Sequence, residues 1–336
     1  MKYNYILNKF RKHRSIIKNL IYFLIFALII FELSKRSISI SITSYFENFN
    51  FYYFFIAVFF FIINSVFGAY LFFLITKYLS SIKLSLMRTF NIIFNGQFLD
   101  FFPFFGTLYK AKRLKSEAKI SYIPFLSIYL ALLEIGLLNI SFFLSLIYFF
   151  LLFYNQDIPI NNLVFFAYFF FFLIFGIFFI KKIYFSLLNK KLIYSIFNKP
   201  YDLFKIITIF FNLQNDILKN KLNFLKLILL DFVCHINLFI TFLFIFKCYS
   251  VELNIIHILI IYLLFIFITQ VKIVPKNYII DELIGAYLIS LGINDFGFGL
   301  IIMITLRCIS LLSSTFLFLL FNFLFRKETL MIKKRN

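Results

Sequence analysis

The sequence predicts an all-α, polytopic membrane helix bundle of about seven to nine membrane segments. Three observations predict it. Hydrophobic residues fill 63% of the 336 positions and mean hydropathy is +0.96, more apolar surface than a water-soluble domain of this length can bury. The apolar residues come in runs of about 17 to 25, the length at which a helix crosses the hydrocarbon layer with its backbone hydrogen bonds satisfied internally. Strict alternation of apolar and polar residues, the mark of a membrane barrel, is absent. The 57 Phe, with abundant Ile, Lys and Asn, read as compositional bias and lipid-facing filler.

Taken in order, the N-terminal cations Lys2, Lys9, Arg11, Lys12, Arg14 and Lys18 flank an apolar run at 16–33. Ser34-Lys35-Arg36 follows in place of a small-residue cleavage site, so this run is expected to remain as an outward-going first helix. Residues 51–75 return to a basic loop holding Lys77, Lys83 and Arg88. The next apolar segment, 84–105, is interrupted by Asn95, Gly96, Asp100 and Pro103, with Gly106 just beyond, and runs into the cationic stretch Lys110, Lys112, Arg113, Lys115 and Lys119. Both of its flanks are basic, which predicts a re-entrant or broken helix.

Residues 122–153, with Glu134 near the centre, are too long for a perpendicular crossing at about 1.5 Å per residue, so tilt or an extension is expected. A helix at 163–180 follows a loop containing Asp157 and leads into a basic segment, 181–221, taken as cytoplasmic. Within it, 203–218 suits an interfacial amphipathic helix. Residues 222–246 cross outward and carry Asp231 and His235; 253–270 cross back. Lys272, Pro275 and Lys276 then break the chain before a short run at 278–291 with Asp281 and Glu282 near its start. A turn is expected over 292–299, then a last helix at 300–325 that carries Arg307 and ends in the basic tail. The chain reads as one integral membrane domain, 1–336, with weak repeat halves at about 50–180 and 222–325 and both termini on the cytoplasmic face of the inner membrane.

The net charge of +20 does not indicate nucleic acid, because the cations cluster in short segments between apolar runs, as the positive-inside rule requires. Anionic headgroups are the expected partners, at about 1 kcal/mol per cation near the surface. Cys234, Cys248 and Cys308, together with His235 and His257, have no metal-like spacing, and no metalloprotease, nucleophile-elbow or glycine-rich phosphate motif occurs. Neither metal nor cofactor is expected.

Chemistry therefore rests on ionisable residues placed in apolar segments, each costing about 2.5 to 3.5 kcal/mol at bilayer depth unless partnered or hydrated. Asp100, Glu134, Asp231, Asp281, Glu282 and Arg307 are these residues. Asp100 and Asp231 also suit helix ends, and Asp231 and His235 have the spacing to pair on one helix. Glu282 and Arg307 lie on consecutive elements, so their charges are expected to face one another or share a polar cavity. The proline breaks add half-helix N-termini, whose free amides and partial positive charge favour phosphate or carboxylate. PFFGTLYKAKRL and PKNYIIDELIGAYL then read as two copies of one device, the paired discontinuous helices of membrane carriers.

At these residues the chain resembles the flippase-like membrane domain family that includes the transmembrane region of lysylphosphatidylglycerol synthases. The first resembling signature is Pro103, Gly106, Thr107 and Lys110, followed by ISYIPFLSIYLALLE ending at Glu134. The second is VPKNYIIDE with Pro275 and Glu282, then Leu291-Gly292 and Arg307. Thr107, Lys110 and Ile135 stand where the family has an acid, an arginine and an arginine, and Lys276, Asn277 and Ile279 occupy its glycine positions. The resemblance spans about residues 90–325 and implies a flippase or carrier for an anionic or polyprenyl-linked lipid, acting beside separately encoded lipid- or glycan-synthesis enzymes. Lys110 and Arg307 would attract phosphate, and Glu134 and Glu282 would hold those cations or read the headgroup. No aminoacyl-transfer domain precedes Asn336, so lipid lysylation is not expected. A polyprenyl-phosphate-dependent membrane glycosyltransferase and a non-catalytic accessory subunit are the other readings. The first of these is disfavoured by outer loops whose acids are Glu47, Asp157 and Glu252 alone.

Overall fold

A computed structural model of the chain describes residues 46–47, 49–79, 84–100, 105–118, 120, 122–154, 221–251, 253–271 and 278–335. These form helices and no strand. The helices are α1 (Phe51–Leu79), α2 (Leu86–Leu99), α3 (Phe105–Ala118), α4 (Tyr122–Tyr154), α5 (Lys221–Cys248), α6 (Ile255–Val271), α7 (Tyr278–Ile293) and α8 (Phe296–Arg335). Four are long and apolar enough to cross a membrane: Phe51–Lys77 in α1, Pro124–Ser145 in α4, Leu222–Cys248 in α5 and Phe296–Phe325 in α8. The segments expected at 16–33, 163–180 and 203–218, most of the basic segment 181–221, and both Pro103 and Pro275 lie outside the described residues.

Short polar residues set the helix starts. The side chains of Asn50, Ser85, Asn254 and Asp295 accept from the amides of Tyr52 at 3.0 Å, Arg88 at 3.3 Å, Ile256 at 3.0 Å and Phe298 at 3.0 Å. Each satisfies one amide donor that a first helical turn leaves unpaired. The turn expected over 292–299 is much tighter. α7 continues to Ile293 and α8 begins at Phe296, leaving Asn294 in the left-handed region at φ 58° and Asp295 as the cap. The two flanking glycines had suggested a longer turn, but Asn tolerates a left-handed backbone and supplies it in one residue. Gly299 instead lies inside α8, where a Cβ would strike the carbonyl oxygen of Ala286 in α7. Its missing side chain lets α7 and α8 pack backbone to backbone.

The segment after 84 is two helices, α2 and α3, and the cationic stretch forms most of the second. α3 folds back on α2 through a paired absence of side chains. A Cβ on Gly106 would overlap the Gly96 carbonyl oxygen and the Asp100 carboxylate, and a Cβ on Gly96 would overlap the Lys110 side chain. Gly106→Leu is therefore expected to cost about 1–3 kcal/mol by overpacking, measured as an earlier midpoint in detergent-induced unfolding. A parent-like midpoint would mean that α2 and α3 do not meet here.

The long helices run between two apolar cores. One gathers α6 with the later parts of α4 and α5 and the first half of α8; the other joins the second half of α1 to α2, α3 and the first half of α4. α1 and α5 are antiparallel, with the Asn50 amide donating to the Cys248 carbonyl at 2.8 Å. At the other end of the bundle, Asn91 and Asn322 join α2 to α8. Asn91 donates to Asn322 Oδ1 at 2.9 Å, and Asn322 donates to Asn95 Oδ1 at 3.0 Å. Such amide bridges answer the need of any polar side chain in an apolar bundle for a protein partner.

Candidate functional site

Between the two cores lies a cavity of about 560 Å³ to which all eight described helices contribute lining residues. Its position follows from the helix numbering. The cavity is lined by Asn64, the central residue of Phe51–Lys77, by His235, the central residue of Leu222–Cys248, and by Ser310, near the middle of Phe296–Phe325. Polar side chains in three apolar helices thus meet at mid-span.

Six of the residues singled out in the sequence line this cavity: Asp100, Lys110, Asp231, His235, Asp281 and Arg307. Glu282 lines an adjoining chamber of about 220 Å³, whose wall includes Asp281, Thr269, Ser310 and Arg307, all shared with the main cavity. That chamber is otherwise largely apolar, with Phe242, Phe265, Met303 and Leu306 among its lining residues. Glu134 is half-buried on α4 and lines neither chamber, although its neighbours Leu132 and Leu133 line the larger one. Gly106 is buried beside the cavity, supporting the α2–α3 contact.

The charges form distinct pairs. Lys110 Nζ lies 2.6 Å from Asp100 Oδ2, with both side chains largely buried, at 8% and 16% exposure. This joins the end of α2 to α3 across the break containing Pro103. Tyr129 of α4 lines the same cavity as Asp100. On α7 and α8, Arg307 Nε lies 3.6 Å from Glu282 Oε1, the facing arrangement that their sequence positions suggested. The pairing of Asp231 with His235 is likewise realised, at 3.4 Å from Oδ2 to Nε2. It sits in a larger network: Asn139 of α4 donates to Asp231 Oδ2 at 2.7 Å, and Tyr262 of α6 lies 3.0 Å from His235 Nδ1.

Asn139, Tyr262, Gln97 and Gly68 escaped the sequence reading. Asn139 carried a usable signal, as an amide inside an apolar helix that must find a partner. Tyr262 did not, because one tyrosine among 21 has nothing to mark it. Gly68 lines the cavity from α1 with no heavy atom within 4 Å of where its Cβ would stand, so it leaves open space instead of permitting a close contact. Among the described residues no cluster of three metal-ligating side chains occurs.

The arrangement places two cations, Lys110 and Arg307, among three acidic side chains, Asp100, Asp231 and Asp281. Lys110 and Arg307 each supply a cation to one cavity, and each already has an acidic partner, so neither is an isolated charge in an apolar bundle. No family model matches the chain, no curated protein matches it, and no solved structure matches it.

Proposed function

We propose that the protein is a membrane carrier of the flippase type, moving an anionic or polyprenyl-linked lipid through the mid-span cavity. The observation that carries this reading is the convergence of Lys110 and Arg307, from the helices that follow the two proline breaks or pack against them, on a single cavity between four apolar helices of spanning length. The headgroup phosphate enters between these two cations, while Glu282 holds Arg307 until the phosphate arrives. The adjoining apolar chamber takes the first part of the chain attached to the headgroup.

The short helices after the two breaks, of 14 and 16 residues, act in this reading as the paired half-helices of an inverted-repeat carrier. The basic end of the bundle, with Lys77 closing α1 and Lys221 opening α5, faces the cytoplasm of the inner membrane by the positive-inside rule.

Arg307→Ala and Glu282→Ala are expected to reduce the movement of a fluorescent phosphatidylglycerol in reconstituted vesicles to the rate of protein-free vesicles, at parent-like expression. Parent-like movement in both variants removes the site assignment.

A further inference from the structure

Beyond lipid movement, we propose that Asp231 and His235 form a proton-binding site at the middle of α5 that exchanges its proton with the cavity. Tyr262 Oη lies 3.0 Å from the His235 carbonyl oxygen and 3.0 Å from His235 Nδ1, and it has one proton for the two. The carbonyl is an acceptor only, so a hydroxyl proton given to it leaves the phenol oxygen to accept from Nδ1–H. In neutral imidazole the other nitrogen, Nε2, is then bare.

That bare nitrogen faces a carboxylate. Nε2 lies 3.4 Å from Asp231 Oδ2, is fully buried and has no hydrogen-bond partner, and His235 as a whole is 6% exposed. Oδ2 is itself held as an acceptor by the Asn139 amide at 2.7 Å. In that tautomer two acceptors confront each other in a buried site, and one additional proton turns the repulsion into a charge-assisted contact. Asp231, Cys234 and His235 all line the cavity, which supplies the route for that proton.

The titratable and charged groups around the pair are few. Cys234 lies on its own helix, and Tyr262 comes from α6. Tyr129 of α4, Asp100 and Lys110 of the α2–α3 turn, Asp281 of α7 and Arg307 of α8 line the same cavity. α1 contributes Asn64, Ser65 and Gly68, none of which titrates. Loading the pair adds one positive charge to the cavity that Lys110 and Arg307 also line and strengthens its hold on an anion; unloading weakens it.

The chain has 3 histidines, so His13→Gln with His257→Gln leaves His235 as the sole imidazole. Nitrogen magnetic-resonance spectra of that protein, labelled at histidine and held in phosphatidylcholine–phosphatidylglycerol nanodiscs at one pH throughout, are expected to show both ring nitrogens protonated. Asp231→Asn, which keeps the side chain's size, is expected to leave a proton on Nδ1 alone. A ring protonated only at Nε2, with Tyr262 donating to Nδ1, would overturn the proposal, as would a spectrum that Asp231→Asn leaves unchanged. The spectra need no transported lipid, so they are read independently of the transport assay.

Discussion

Lys110→Met is expected to cost about 3–5 kcal/mol of stability, because it removes one partner of a buried ion pair and leaves the other uncompensated. Lys110 Nζ and Asp100 Oδ2 are 2.6 Å apart, with side-chain exposures of 8% and 16%. Methionine fills the volume of the lysine stem, which passes over Gly96, so the loss isolates the charge from the packing. The double variant Lys110→Met with Asp100→Asn is expected to recover most of the loss, since two neutral groups of the same shape replace the pair. Detergent-induced unfolding of the parent, both single variants and the double variant measures the coupling. A single variant as stable as the parent would mean that water reaches Asp100 and screens it.

Gly68→Leu separates the cavity from its charges. A Cβ at this position meets nothing within 4 Å, and the residue lines the cavity from the middle of α1. A leucine side chain projects into the space a headgroup needs while altering no ion pair. Stability is expected to hold or rise by up to about 1 kcal/mol, because glycine is the poorer helix former. Lipid movement in vesicles is expected to fall to the protein-free rate. The contrast with Gly106 is informative: the same substitution there meets the backbone of α2 and is expected to destabilise, whereas here it is expected to block without destabilising. If Gly68→Leu moved lipid like the parent, the path would not pass through this cavity.

Much of this was legible in the sequence, for physical reasons that differ by residue. Membrane character follows from composition, and all four described spans fall where apolar runs had placed helices. The partnerships of Asp231 with His235 and of Glu282 with Arg307 were readable because helical spacing and neighbouring elements bring such charges together. The pairing of Lys110 with Asp100 was not. Ten residues and a proline separate them, and the contact depends on Gly96 and Gly106 allowing two helix backbones to touch. Glycines in an apolar run signal a break as readily as a close approach, and a sequence does not distinguish the two. The turn after α7 shows the same ambiguity: Gly292 and Gly299 point to a turn over 292–299, whereas Asn294 and Asp295 make it. The asparagine bridge of Asn91, Asn95 and Asn322 joins positions more than 220 residues apart, and no local pattern encodes such a pairing.

The mid-span cavity is proposed to receive an anionic headgroup between Lys110 and Arg307. Mass spectrometry of the lipids retained by the purified full-length protein tests it most directly, with Arg307→Ala purified in parallel. One class of anionic or polyprenyl-linked lipid is expected to be enriched over the bulk membrane in the parent and returned to bulk proportion in Arg307→Ala. Lipids in bulk proportion in both preparations, or an enrichment that Arg307→Ala leaves intact, would contradict it.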